Sequence, residues 1–341
     1  MDYFKEREQI TLAQLEELKT LLPPFCGRFF LGISGTTTPL TRLNYARDLK
    51  IFFNFLVTEI AEFHGRDYKT LAASDLDKID VFAIEFFLDW LGHRTANTDR
   101  TKMRKLACLR SFFAYYFKIG EIQKNILPNV DMPKMREKTI TRLENAEVHN
   151  IFDAANDGVD GMSARQARLH DKTRVRDITI LMFFLGIGIR VSELVGLNKN
   201  DIDMENKSFR VTRKGGKQEI LFMPPELEAQ LQEYLETIDP GQTPLFMSLK
   251  DRRIGVRTVQ LLVKKYARVA APLKNISPHK LRSTFGTRLY RETGDIYVVA
   301  DVLGHKDINT TKKHYAAISE DIRKAAATQT RVLDPKDKAS H

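Results

Sequence analysis

Cysteine is almost missing from this chain: Cys26 and Cys108 are the only two in 341 residues. They lie far apart and outside any Cys-x-x-Cys pattern, which argues against a disulfide framework or a zinc site and suits a reducing, cytoplasmic setting. Long apolar runs are missing too. Nothing approaches the roughly 20 consecutive apolar residues that span a bilayer, so no membrane partner is expected. The opening stretch from Met1 to Leu12 mixes acids and bases from its second residue and has no apolar centre, unlike a signal peptide.

What is present describes a folded protein. Hydrophobic residues make up 43% and charged residues 29% of the chain, proportions of a globular rather than a disordered sequence. The length suits about two domains. A formal net charge of +10 favours a polyanionic partner, although solubilised surfaces share such an excess.

Apolar periodicity predicts helices through the first third of the chain. Thr11 to Leu22 is amphipathic and stops at Pro23-Pro24. Thr41 to Val57 carries Tyr45, Leu49, Phe52, Phe53 and Leu56 at helical spacing and leaves Arg42, Arg47 and Lys50 outside that stripe. Val81 to Leu91 repeats the style with Phe82, Phe86 and Trp90. Thr101 to Phe117 is expected to bury Leu106, Leu109, Phe113, Tyr116 and Phe117 behind a basic start, Arg100, Lys102, Arg104 and Lys105. Such a cluster is as readily a solvated helix end as a phosphate contact.

The stretch from Ile126 to Thr141 has two prolines, no apolar period and a basic run, which reads as a connector. The expected division is a helical domain over 1–126, a basic linker over 127–141 and a second domain over 142–341. In that second domain a polar loop from Gly158 to Lys172 precedes a buried helix from Val175 to Gly186. Ser208 to Arg213 and Gln218 to Met223 alternate as a hairpin, with Phe209 and Val211 opposite Ile220 and Phe222 and a Gly215-Gly216 turn between. Arg253 to Arg268 has an apolar stripe of Val259, Leu262, Tyr266 and Val269 and an opposite face of Arg257, Gln260, Lys264 and Arg268. A solvated amphipathic helix explains that periodicity, yet arginine and glutamine also read base edges in a major groove.

Five motifs in order carry the chemistry: Gly188-Ile189-Arg190-Val191-Ser192-Glu193-Leu194, the turn Lys214-Gly215-Gly216-Lys217, His279-Lys280-Leu281-Arg282, Leu303-Gly304-His305 and Tyr315. Each histidine, arginine or tyrosine alone is more often structural; together they resemble the boxes of the tyrosine recombinase (phage integrase) family. The resemblance is strongest over the carboxy-terminal half, and Ile187 stands where that family commonly has threonine. Gly158 to Lys172 resembles an insertion in single-component Xer recombinases.

The resemblance implies a mainly α fold: an amino-terminal helical bundle of the SAM-like core-binding kind, then an α-rich catalytic domain with a small antiparallel β-sheet. It implies Tyr315 as nucleophile, Arg190 and Arg282 on the non-bridging phosphate oxygens, Lys214 as acid toward the leaving 5′ oxygen, and His279 and His305 as proton acceptor and donor. Glu193 would brace the helix. Lys217 is a rival that the family pattern passes over, and His314 is left as structural because adjacent residues on a helix do not face each other. Arg42, Arg100, Lys102, Arg104, Lys105, Lys217, Arg257, Gln260 and Lys264 become expected DNA contacts.

Catalysis of this kind calls for fixed positive charge, and no carboxylate cluster at ligand spacing accompanies the boxes, so neither metal nor cofactor is expected. The expected partners are double-stranded DNA with a specific recombination site, three further copies in a homotetramer on two sites, and a regulatory DNA translocase. The segment after Tyr315 would dock into a neighbouring subunit. About forty residues precede the Thr41 helix, an arm shorter than many mobile-element integrases carry, which favours a Xer-like resolvase of chromosome or plasmid dimers. Integration of a mobile element, type IB topoisomerase-like relaxation and non-catalytic DNA binding are the alternatives.

Overall fold

The structure is a computed structural model that describes residues 3–95, 98–132, 141–213 and 215–304. The chain forms two compact units, residues 1–138 and 139–341. Among the described residues both are mainly helical, and the second holds one small antiparallel sheet.

The first unit consists of α1 (Tyr3–Lys19), α2 (Cys26–Gly32), α3 (Pro39–Glu59), α4 (Val81–Thr95) and α5 (Asp99–Lys118). Helix α3 starts where Thr38 accepts the Thr41 N–H and Pro39 takes a position whose N–H would have no helical partner anyway. Its Phe52, Phe53 and Phe55 form an aromatic core with Phe29, Phe87 and Phe112. Rings meet edge to face, with Phe29 and Phe112 centroids 5.0 Å apart and Phe52 and Phe87 5.2 Å apart. The Tyr116 hydroxyl donates to the Phe25 carbonyl at 2.6 Å, so the largest ring of α5 is buried without an unsatisfied polar atom.

Several expectations need correction here. The first helix begins at Tyr3, well before Thr11. Phe82 is 69% exposed; α4 instead buries Ala83, Ile84, Phe87, Leu88 and Leu91. The helix carries two apolar stripes, and α3 and α5 cover only one. Phe117 is exposed for the same reason, while Phe112 lies in the core. The expected linker also starts too early, because Leu127 and Val130 are buried in the first unit and the Arg110 guanidinium donates to the Val130 carbonyl at 2.8 Å.

The second unit runs α6 (Asn145–Asp157), α7 (Ala164–Met182), α8 (Val191–Gly196), strands β1 (Ile202–Asp203), β2 (Ser208–Thr212) and β3 (Gln218–Phe222), then α9 (Pro225–Glu236), α10 (Val256–Ala270), α11 (Pro278–Thr293) and α12 (Ile296–Val302). Much of the stretch read as a polar loop is the first half of α7. Ser163 and Gln166 cap each other reciprocally, a start signal that composition conceals.

The sheet order is β1-β2-β3, antiparallel throughout. Phe209 pairs with Leu221 and Val211 with Glu219, so Ile220 and Phe222 face solvent rather than the core. The Arg213 N–H donating to the Lys217 carbonyl at 2.7 Å sets this register, and a one-residue shift in register turns a strand over. Val259, Val263 and Tyr266 of α10 are buried, but Val269 is exposed at the last turn. No helix among the described residues is long and apolar enough to cross a membrane.

Candidate active site

The site is built where separate segments of the second unit meet. Helix α7 closes through a π-helical turn, Phe183–Ile187, and Gly188 follows in the left-handed region at φ 70°. A Cβ there would lie 3.0 Å from the Leu303 side chain and closer still to the Phe285 ring, so glycine is required twice over. The reversal delivers Arg190 to the start of α8. Glu193 then reaches back, one carboxylate oxygen taking the Arg190 N–H at 3.0 Å and the other its guanidinium at 2.7 Å.

Helix α11 begins with Pro278 at its first position and sets His279 and Arg282 one turn apart. His279 is exposed; Arg282 is only 3% exposed. The Arg282 guanidinium donates to the carbonyls of Gly188 and Leu303, tying α11 to the turn that carries Arg190. Helix α12, capped by Asp295 at its start, ends with its carbonyls facing this cluster. The Leu303 carbonyl also accepts Arg190 at 3.2 Å, and the Gly304 carbonyl accepts Arg190 at 2.8 Å. Cations at a helix C-terminus are stabilised by the aligned peptide dipoles.

Arg213 joins the same cluster, a residue the motif reading missed. It is 7% exposed and donates to both Glu193 oxygens, to both Glu219 oxygens and to the carbonyls of Val302 and Leu303. Strand parity held the clue, since Phe209, Val211 and Arg213 alternate onto the buried face.

The arrangement fixes guanidinium groups in one place before any anion arrives. Planar, permanently charged donors held by buried partners suit a phosphodiester, whose oxygens accept paired hydrogen bonds. Arg190 keeps an outer edge in reach of solvent, with its side chain 34% exposed. Among the described residues no group of three or more histidines, cysteines or carboxylates could hold a metal ion. Two described tyrosines of this unit are neutral donors: burial and the Asp177 carboxylate push the Tyr266 phenol far up, and burial takes Tyr234 to about 12.

Arg190, Glu193 and Arg282 are thus brought together, with His279 one turn along α11. Lys214, His305, His314 and Tyr315 lie outside the described residues, as does the segment after Tyr315. Of the expected DNA contacts, Arg100, Lys217, Arg257 and Lys264 are exposed and Lys102 and Gln260 half-buried. Arg42 donates to the Ser34 and Thr37 carbonyls, each at 2.8 Å. Lys105 is 4% exposed, its ammonium 2.8 Å from the buried Asp48 carboxylate, which also holds Arg104. Lys105 is therefore an internal counter-ion rather than an outward-facing phosphate contact.

Residues 141–321 match the phage integrase family. The chain belongs to that family, the tyrosine recombinases, which cleave and rejoin DNA strands. Its relatives include Xer recombinases over nearly the whole length. Tyrosine recombinase XerC of Caldanaerobacter subterraneus subsp. tengcongensis is 30% identical over 330 residues, 92% of this chain and 88% of that one. Tyrosine recombinase XerS of Lactococcus lactis subsp. cremoris is 28% identical, covering 94% of this chain and 99% of that protein. The fold is shared with XerH site-specific recombinase, solved bound to a palindromic difH substrate in a post-cleavage complex. That likeness has a TM-score of 0.65 at 22% identity and covers 85% of this chain and 80% of the other.

Proposed function

We propose that this protein is a Xer-like site-specific recombinase that resolves chromosome or plasmid dimers through a covalent 3′-phosphotyrosyl intermediate. The observation that carries the reading is the convergence of Arg190 and Arg282, from boxes far apart in sequence, on the single Leu303 carbonyl beside Glu193. Two guanidinium groups so held would grip the non-bridging oxygens as charge builds on phosphorus.

In the proposed step the Tyr315 phenol oxygen bonds to phosphorus while the bond from phosphorus to the 5′ oxygen breaks. The phenol proton passes to His279, Lys214 protonates the departing 5′ oxygen, and His305 donates to a phosphate oxygen. A phenol with a free pKa near 10 is about 0.1% ionised at neutral pH, so the base and the fixed cations together make up a deficit of roughly 4 kcal/mol. The phosphotyrosyl bond conserves the energy of the phosphodiester. A 5′ hydroxyl of a second duplex reverses the step without ATP.

This reading extends to a homotetramer on two sites, exchange through a Holliday junction, and a role in chromosome partition at cell division under a DNA translocase. It places the protein in the cytoplasm. Exposed Arg100, Lys217, Arg257 and Lys264, with half-buried Lys102 and Gln260, are the proposed DNA contacts; exposure and charge support the first four.

A library of nicked duplexes with a randomised centre tests the chemistry, because loss of the short strand beyond the nick blocks reversal and traps the covalent complex. Wild-type protein is expected to yield a denaturant-stable, protease-sensitive adduct, and Tyr315→Phe none. An adduct that persists in Tyr315→Phe sinks the reading. With the selected site cloned twice on one plasmid, ATP-independent deletion between the copies supports recombination, and relaxation without deletion supports topoisomerase action.

A further inference from the structure

We infer that Arg213 is a positioning residue for DNA cleavage, holding Glu193 and the end of α12 so that the Arg190 guanidinium is aimed at the scissile phosphate. The inference rests on the phosphate-binding role proposed for Arg190.

Arg213 touches each part that orients Arg190. It lies 3.3 and 3.4 Å from the two Glu193 oxygens, whereas Arg190 sits at 2.7 Å from the nearer one. The carboxylate therefore divides its charge between two cations, and Arg190 is not fully neutralised by its brace. Arg213 also reaches the Leu303 carbonyl at 3.4 Å and that of Val302 at 3.3 Å, so it fixes the helix end on which Arg190 and Arg282 both rest. Glu219, 3.0 Å away, holds it from the other side. Its place at the end of the hairpin strand, directly before Lys214, joins a third motif to this brace.

The backbone points the same way. Gly304 sits at φ 59°, and a Cβ there would be 2.9 Å from the Arg213 guanidinium carbon, so the turn after α12 is shaped around this side chain. Stability alone is a poor account of a buried arginine, because an apolar residue of similar volume often serves the fold as well.

The experiment measures single-turnover cleavage of a nicked duplex selected by covalent capture on the wild-type protein, at rising protein concentration, for Arg213→Met, Arg213→Lys and Arg190→Ala. For Arg213→Met the saturated rate is expected to fall about 30-fold or more, with half-saturation within about threefold of wild type. Arg213→Lys should recover part of the rate. The Arg190→Ala/Arg213→Met double variant should be no slower than Arg190→Ala within about threefold, because Arg213 acts through Arg190. A saturated rate for Arg213→Met within threefold of wild type, a loss confined to half-saturation, or multiplicative losses in the double variant would overturn the inference. Should Arg213→Met not fold, as judged by thermal melting, Arg213→Lys and Glu219→Gln face the same criteria with a smaller expected loss, about fivefold. Failure of the wild type to capture any duplex would instead overturn the reading of the site itself.

Discussion

Glu193 holds Arg190 twice, its two carboxylate oxygens taking the guanidinium at 2.7 Å and the backbone N–H of the same residue at 3.0 Å. The contact fixes both ends of the arginine, and the carboxylate is nearly inaccessible to water, with 2% of the side chain exposed. Glu193→Gln keeps the shape and removes the charge. Urea unfolding is expected to register a loss of about 2 kcal/mol, since hydrogen bonds to a charged group are the stronger kind. Cleavage should slow by at least about tenfold. Wild-type stability in this variant would show that the pair is not the brace described.

Gly188→Ala tests the turn that presents Arg190. A non-glycine residue in the left-handed region costs roughly 1–2 kcal/mol, and the new methyl would also press on Phe285 and Leu303. The melting temperature should fall by more than the backbone cost alone predicts. An unchanged melting temperature would mean that the turn has room to relax.

In the first unit the pairing of Lys105 with Asp48 gives a charge-reversal of expectation. Asp48→Asn leaves a buried ammonium without its counter-charge and should destabilise the protein by about 3–5 kcal/mol. Adding Lys105→Met removes the stranded cation and should restore part of the loss. A double variant less stable than Asp48→Asn by chemical denaturation would contradict the internal role given to Lys105.

Glu147 carries a predictable acid response. Partial burial pulls its carboxyl upward, but the Lys274 ammonium at 2.6 Å and the Glu144 N–H outweigh that and hold it below the usual range. A folded-state value below the unfolded one gives stability that is present above about pH 4.3 and fades as pH falls through the folded value. Lys274→Met should therefore be less stable than wild type at neutral pH, with the gap closing in acid. A gap that stays constant down to pH 3 would exclude the linkage.

Part of the arginine cluster was legible because residue types and their order carry the family resemblance, whatever the fold does between them. Arg190, Glu193 and Arg282 were marked by motif, and the structure brings them within hydrogen-bonding reach of one another's partners. Helix positions were legible where one apolar stripe dominates, as in α3. They were misread in α4 and at the end of α5, where extra aromatics at helical spacing offered a second face.

By itself, then, the order of residues determined the mainly helical character through local periodicity, and the expected chemistry and candidate cations through the resemblance of its motifs to a known family. Only the tertiary structure decided which face of α4 is covered, which parity of the hairpin turns inward, and that Arg213 belongs to the arginine cluster while Lys105 belongs to Asp48. Burial and ion pairing depend on what other segments bring within a few ångströms, and no local pattern encodes the neighbour.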